Sequence, residues 1–293
     1  MAQIRLKQLG GLNGLAKKPV QVIFTTSKTY TIPSGYKSMD VFVVGGGSGA
    51  SKSDTVSSSA GVNSVRGGRG GNAGFTTKSL NISVNKNTLN VVIGSGSQAT
   101  DNNNGAPNVG GSTTVSFSST TIEAKGGSAV FESPRYKGGS GAGALSLSYA
   151  SSRFPAVNGA NGGSDGNNGS ATAQSDRYGL GQGSTTKAFG EANGTIYAGG
   201  GGSGAIGGKS GSTATGGNGG NGGGGNGGNS YRDSGIGTAG ATNTGGGGGG
   251  GGSNTSGSRQ NGGNGGSGIA IIRLYPNSRR PSITWNASNT ING

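Results

Sequence analysis

The side chains that could contact a ligand lie in short aromatic and basic islands between glycine-rich segments. Aromatic rings supply flat contact area at low entropic cost and arginine pairs with anions, so these islands have the chemistry of a binding surface. The candidate receptor-contact residues are Arg135, Tyr136, Tyr149, Phe154, Arg177, Tyr178, Tyr197, Tyr231 and Arg232. A second interpretation stays open, in which the same rings bury themselves as caps on the ends of a glycine array.

Residues that could perform catalysis are largely missing. The chain contains no histidine and no cysteine, which excludes thiol nucleophiles, disulfides, the common zinc sites and every Ser-His-Asp or Cys-His arrangement. Its 9 carboxylates are scattered, without a close pair suited to glycoside hydrolysis. We therefore expect a protein that is not an enzyme and that holds no cofactor and no metal.

Four glycine-containing motifs invite ligand-binding interpretations that their surroundings do not support. Residues 45–50 follow a predicted strand, as in a dinucleotide-binding loop, but no helix pattern follows to hold a pyrophosphate. Residues 101–105 and 165–169 resemble calcium loops without the terminal bidentate acid, so they are predicted to be turns. Residues 65–72 carry one arginine-glycine motif without the repetition and interleaved aromatics of RNA-binding segments.

The formal charge of +14 suits an anionic partner such as nucleic acid, lipopolysaccharide or a capsule. No apolar segment reaches the length needed to cross a membrane, and residues 1–15 lack the continuous apolar region of a signal peptide. We therefore expect no membrane insertion and no secretory route.

The glycine-rich stretch at residues 199–268 dominates the chain. Collagen is excluded, because the Gly-Gly-Asn triplets slip phase and no proline occurs between Pro155 and Pro276. A disordered linker and a packed array of polyglycine II helices remain. The array is favoured because the stretch runs directly into residues 269–275, which have the pattern of a buried strand.

A polyglycine II array is stable only as a lattice. The isolated helix has three residues per turn and no internal hydrogen bonds. Ordering each residue costs about 1–2 kcal/mol of backbone entropy, and more for glycine, so neighbouring helices must pair nearly every buried N–H and C=O.

The remaining pattern predicts a small β sandwich. With 71 glycines and 7 prolines the composition is typical of disordered chains, but the apolar residues cluster in short β-branched and aromatic runs. About eight strands are expected, including one hairpin formed by 80–84 and 89–93 and a second formed by 113–117 and 120–124. The fold class is therefore mainly β, a small sandwich plus a packed polyglycine II array, with almost no α-helix.

Several of these segments occur in the order of a known family. The ordered set comprises residues 24–35, 40–47, 90–96, 112–117, 123–127 and 266–272. It is similar to the glycine-rich domain family of phage tail-fibre and surface proteins. The arrangement of parts along this sequence also resembles that of the tail-fibre tip adhesins of T-even-type phages. The resemblance implies a short N-terminal attachment part followed by packed polyglycine II helices whose distal loops touch the host receptor.

Four parts are expected along the chain. An N-terminal attachment arm would occupy 1–20, a β-sandwich part with glycine loops 21–126, the polyglycine II array with aromatic loops 127–268, and a closing strand and tail 269–293. The candidate attachment residues in the arm are Ile4, Leu6 and Leu9, which alternate with or lie near polar residues. A disordered terminus is the alternative for this segment.

The function expected from this reasoning is that of a phage virion structural protein, a tail-fibre adhesin that binds a host cell-surface glycan or outer-membrane receptor. Its N-terminus would join other structural proteins of the fibre, and no specific nucleic acid is expected as a partner. One alternative is a phage head or tail fibre or decoration protein that does not bind receptor. A second is a basic glycine-rich RNA-binding protein.

Overall fold

Twelve strands form three sheets in the part of the chain that the structure describes. The structure is a computed structural model describing residues 17–57, 63–100, 108–128, 137–149, 156–172, 177–207, 212–230, 235–253, 259–276 and 290–293. The strands are β1 Val20–Phe24, β2 Lys28–Thr31, β3 Ser38–Val44, β4 Asp54–Ser57, β5 Asn63–Arg66, β6 Thr76–Ser83, β7 Thr88–Val92, β8 Thr113–Phe117, β9 Thr120–Ala124, β10 Leu147–Tyr149, β11 Ile269–Tyr275 and β12 Thr290–Asn292. The only helical element described is a 3-10 turn at Ala188–Gly190.

Two of the sheets face each other as a sandwich. One has the order β12-β1-β11-β3-β6 and the other the order β2-β7-β8-β9. Their facing side chains form one apolar core, because alternate residues along each strand point inward. The largest fully buried members of this core are Phe24, Ile32, Met39, Leu89, Ile272 and Leu274. The mainly β prediction, with almost no helix, is confirmed.

The central strands β3 and β11 are buried on both faces. Their second face carries Phe42 and Ile271, which pack with Phe189 and Tyr197 from a segment that lies outside the sandwich. The Phe42 ring centroid is 5.6 Å from each of the two other rings. This segment therefore provides a second, smaller apolar layer over the sheet.

One predicted hairpin is wrong. Strands β6 and β7 follow each other in sequence, but β6 pairs with β3 and β7 pairs with β2 and β8, so the two belong to different sheets. The β3–β6 pair contains a register shift between Met39 and Val41, where the Asn81 N–H donates to Asp40 Oδ1 at 2.7 Å. A bulge bends its strand and increases the local twist, and the chain then crosses to the other sheet.

The second predicted hairpin is confirmed. Strands β8 and β9 pair antiparallel from Thr113↔Ala124 to Phe117↔Thr120. Four strands were not predicted, namely β4, β5, β10 and β12. Three of them form a separate sheet of order β10-β5-β4, and β12 adds to the edge of the sandwich beside β1.

The glycine-rich segments form straight runs whose hydrogen bonds repeat every three residues. In the run at residues 245–253, every third N–H donates to the same neighbouring run. The bonds to the run at 198–207 illustrate the repeat: Gly247 to Gly199 at 2.9 Å, Gly250 to Gly202 at 2.9 Å and Ser253 to Ala205 at 2.8 Å. A period of three is the geometry of the polyglycine II helix.

The run at 245–253 is enclosed by six other runs. From Gly247 to Gly252 its N–H groups donate to three of them, and from Gly246 to Gly251 its carbonyl oxygens accept from the other three. The accepting runs are 198–207, 45–53 and 235–241, and the donating runs are 66–75, 223–230 and 259–268. A helix with six hydrogen-bonded neighbours sits in a hexagonal lattice, so the packed array is confirmed over the disordered linker.

Glycine is required inside this lattice because the neighbouring backbones are too close to admit a side chain. A Cβ atom built on Gly248 would lie 2.0 Å from the Gly263 carbonyl oxygen, and one on Gly250 would lie 2.0 Å from the Gly68 oxygen. No real side chain fits at such distances. Serine replaces glycine where its hydroxyl can join the lattice: buried Ser48 Oγ accepts the Asn72 N–H at 2.8 Å.

Candidate binding surface

The array has two ends that differ in their surroundings. The run at 45–53 begins directly after β3 and the run at 259–268 ends directly before β11, so one end abuts the sandwich. The opposite, distal end is marked by the backbone bond from Ser53 N–H to the Gln260 oxygen at 3.0 Å. The sheet β10-β5-β4 also lies at this distal end, since Asp54 of β4 follows Ser53.

Many of the chain's connections meet at the distal end. The runs alternate in direction, so the chain leaves and re-enters the array there repeatedly. The residues that flank these connections are 57 and 63, 100 and 108, 149 and 156, 172 and 177, 207 and 212, 230 and 235, and 253 and 259. The lattice therefore brings segments that are far apart in sequence to one surface.

Three of the predicted contact residues, Phe154, Tyr231 and Arg232, fall in the intervals between these flanking residues. Arg135 and Tyr136 fall in another interval, between residues 128 and 137, whose ends are joined by the hydrogen bond from the Ser128 N–H to the Lys137 oxygen at 3.0 Å. Arg135, Tyr136, Phe154, Tyr231 and Arg232 lie outside the described residues, as do the attachment residues Ile4, Leu6 and Leu9. Tyr149 is in β10, which pairs with β5 in the distal sheet.

Arg177 and Tyr178 follow the distal connection that residues 172 and 177 flank. They begin the run that continues through Gly179, whose N–H donates to the Ala142 oxygen at 2.8 Å. Arg177 is exposed and Tyr178 is half-buried. This pair can present a cation and a ring to a ligand from a fixed backbone.

Tyr197 lies at the other end, beside the sandwich. Its ring packs against Phe42, and burial raises the pKa of its phenol above the ordinary value. The N–H of the next residue, Ala198, donates to the Thr244 oxygen at 2.8 Å, where the array meets the sheet. Packing accounts for this ring, as in the capping interpretation.

The described charges at the distal end are of both signs. The Arg259 guanidinium lies 3.1 Å from Asp54 Oδ1, with the arginine side chain 49 % exposed and the aspartate 10 % exposed. Within the described ranges no group of three or more carboxylate, histidine or cysteine side chains is placed to hold a metal ion. The same ranges contain no helix long and apolar enough to cross a membrane.

The predicted turn at 165–169 is present. Asp165 and Gly166 both have positive φ, at 51° and 82°. The Asp165 carboxylate accepts hydrogen bonds from the Thr185 hydroxyl and the Thr186 N–H, so it fixes a neighbouring segment of the protein.

Sequence reasoning missed the exposed asparagines on the side of the array. Their Oδ1 atoms accept N–H groups that have no neighbouring run to bond to, as Asn226 Oδ1 does for Gly219 at 2.7 Å. The available signal was their spacing. Exposed residues recur every third position at 215, 218 and 221 and again at 226 and 229, which places asparagine on one side of each three-fold helix.

Comparison with known proteins agrees with this architecture. A family model for the glycine-rich domain matches residues 24–275, which includes the sandwich and the array. No curated protein matches the chain. The match begins at the end of β1 and finishes at the last residue of β11, so it spans the sandwich strands that hold the array at both ends. The chain belongs to the glycine-rich domain family.

Proposed function

We propose that the protein is a phage virion structural protein, a tail-fibre adhesin that contacts a host cell-surface glycan or outer-membrane receptor through the distal end of its polyglycine II array. The observation that carries this proposal is the meeting of the array's connections on one surface opposite the sandwich. A rigid scaffold that presents variable connections at one end is a common design for binding proteins.

The composition of the connections supports the proposal. The rigid runs consist mainly of glycine, serine and asparagine, while the distal connections between them supply Phe154 and Tyr231, each with an adjacent arginine. Rings and guanidinium groups are the side chains that contribute most to binding energy in protein interfaces.

The opposite pole suits attachment to a fibre. Val20 of β1 pairs with Leu274, which in turn pairs with Met39, so the chain enters the sandwich at the pole farthest from the array. An arm within residues 1–20 would then join another structural protein of the virion while the distal end faces outward. Replacing Ile4, Leu6 and Leu9 with Ser should release the protein from its fibre while leaving receptor binding intact.

Adsorption of the purified protein to host cells tests the receptor proposal. The double variant Arg177→Ala/Tyr178→Ala should bind at least about tenfold more weakly, as should the triple variant Tyr136→Ala/Tyr178→Ala/Tyr231→Ala. The matched control is Tyr36→Ala/Lys37→Ala, which removes a ring and a cation at the pole near Val20 and should bind normally. Thermal melts confirm that each variant is folded.

Other outcomes would select the alternative functions. Incorporation into virions without any adsorption to host cells would identify a fibre or decoration protein that does not bind receptor. Strongly salt-dependent retardation of RNA would identify a nucleic-acid-binding protein. Adsorption that Arg177→Ala/Tyr178→Ala and the triple tyrosine variant leave unchanged would show that the distal end is not the contact surface.

A further inference from the structure

The side of the array around the run at 212–221 carries two columns of asparagine. This run lies between the runs at 156–164 and 223–230 and accepts backbone hydrogen bonds from both. Four exposed side chains flank it, Asn158 and Asn161 on one side and Asn226 and Asn229 on the other. We call these four side chains, with the run between them, the asparagine face.

Each of the four amides is held by the backbone of the central run. The Oδ1 atoms accept N–H groups that point away from the lattice: Thr215 to Asn158 at 3.1 Å, Asn218 to Asn161 at 2.8 Å, Gly216 to Asn229 at 2.9 Å and Gly219 to Asn226 at 2.7 Å. This bond fixes which way each amide points. The opposite end, the Nδ2 group, donates to no atom of the described residues and is left for solvent or a ligand.

The fixed donors alternate with acceptors. Within each column the asparagines are three residues apart, about 9 Å along a polyglycine II helix. Between the columns, the carbonyl oxygens of Gly216 and Gly219 accept no hydrogen bond from the described residues. The face therefore offers donors on both sides of a row of acceptors, repeated along the helix axis.

The face is uncharged although the protein is strongly basic. The segments 156–164 and 212–230 contain no Lys, Arg, Asp or Glu, whereas the whole chain has a formal charge of +14. They also contain no aromatic residue. An anionic ligand would find no cation here, and a nucleic acid would find neither cations nor rings to stack on.

A second copy of the chain is also a poor occupant. Extending the lattice requires free N–H donors on the outer run, and the asparagine caps already occupy those of Thr215, Gly216, Asn218 and Gly219. Occupied edge groups of this kind oppose further pairing, as do the protected edges of β-sheets.

We propose that the asparagine face binds an uncharged polysaccharide. Sugar hydroxyl groups both donate and accept hydrogen bonds, and a polymer repeats them along a line. This matches the fixed Nδ2 donors and the carbonyl oxygens of Gly216 and Gly219 on a repeating helix. Each contact between neutral groups is weak, so binding depends on several repeats acting together. This surface is separate from the distal end and does not depend on the receptor proposal.

Asparagine-to-aspartate substitutions test the proposal without removing the caps. Aspartate keeps an Oδ1 acceptor for the backbone N–H but has no Nδ2 donor. The test pairs are Asn158→Asp/Asn161→Asp and Asn226→Asp/Asn229→Asp. The control pair is Asn168→Asp/Asn264→Asp, because these exposed asparagines accept the N–H groups of Gly181 and Ala99 in the same way on other sides of the array.

The full-length protein is passed over immobilised dextran, β-glucan, mannan and galactan, with dextran sulfate as the charged comparison. We expect retention on at least one neutral polymer that added salt does not abolish. Each test pair should weaken it by about tenfold or more, while the control pair and the Arg177→Ala/Tyr178→Ala variant retain it.

Three results would overturn the proposal. They are no retention on any of the four neutral polymers, retention that disappears with salt, and equal loss in the test and control pairs. Thermal melts of all three pairs separate loss of binding from loss of folding.

Discussion

Arg273 of β11 forms a two-pronged ion pair with Glu191, which lies 82 residues earlier in the chain. Its Nη1 and Nη2 atoms are 2.6 and 3.1 Å from the two carboxylate oxygens, and its Nε donates to Gln21 Oε1 at 2.9 Å. The guanidinium carbon lies 3.8 Å from the centre of the Phe189 ring. The arginine side chain is 5 % exposed and the glutamate 38 %. This cluster fastens the segment containing Phe189 onto the sheet that holds the array.

Replacing Glu191 with Ala should therefore cost about 1–3 kcal/mol of unfolding free energy. A buried cation would lose its partner, although water can reach part of the site and reduces the loss. Arg273→Met should cost less than Glu191→Ala, because it removes the charge and keeps an apolar chain under the Phe189 ring. Chemical denaturation of both variants shows which of the two loses more unfolding free energy. A larger loss for Arg273→Met would show that the arginine stabilises mainly through its other contacts, the hydrogen bond to Gln21 and the guanidinium over the Phe189 ring.

Glycine at position 248 should be irreplaceable, because its Cβ would overlap the Gly263 oxygen. We expect Gly248→Ala to cost about 3 kcal/mol or more, at or above the upper end of ordinary overpacking, since backbone cannot move aside as a side chain can. Gly207→Ala is the matched control, because its Cβ would meet only Ser230 atoms at 3.3–3.5 Å. Thermal and denaturant unfolding compare the two, and equal stability of both variants would contradict a close-packed lattice.

The strands were predictable because their signal is local. Runs of β-branched and aromatic residues bounded by turn residues indicate β3, β8, β9 and β11 without knowledge of their partners. The pairing was not predictable, since β6 and β7 are joined by a short polar turn that suits a hairpin equally well. The observed pairing depends on contacts between residues far apart in sequence, such as the hydrogen bond between Asp40 and Asn81, which are 41 residues apart.

The sequence predicts that a polyglycine II lattice forms, but it does not predict which runs are neighbours in it. Glycine carries no side chain that identifies its neighbour, so Gly248 and Gly250 look alike in sequence although they meet different runs, at Gly263 and Gly68. Prediction of the contact surface from sequence is limited in the same way. Tyr178 and Tyr197 both belong to the aromatic islands of the sequence, and only the fold shows that the Tyr197 ring packs on Phe42.

The sandwich and the array should unfold together. Ile271 is 3 % exposed in β11, the strand that follows the last glycine run, so Ile271→Asp places a carboxylate in an apolar layer and should remove more than about 4 kcal/mol of stability. The glycine region should lose its resistance to proteases and to hydrogen exchange at the same time. The control is Ile236→Asp, at a residue that is 60 % exposed in the array. Retained protection of residues 199–268 in the Ile271 variant would contradict the coupling.

Alkaline conditions should destabilise the fold through half-buried tyrosines. Burial raises the pKa of Tyr197 and of Tyr30, and the nearby Tyr36 adds to the rise at Tyr30. The phenol pKa is higher in the folded chain than in the unfolded chain, where it is near 10.0. Stability is therefore unchanged while the pH stays below the unfolded-state pKa, and it is lost as the pH rises through the folded-state pKa.

Tyr197→Phe should therefore match the parent protein near neutral pH, within about 0.5 kcal/mol, and become the more stable of the two above pH 10, because phenylalanine has no proton to lose. Denaturant unfolding at a series of pH values measures the difference in free energy. Parallel pH dependence of the two proteins would show that the Tyr197 ring can ionise in place, and hence that its packing on Phe42 does not exclude water from the phenol.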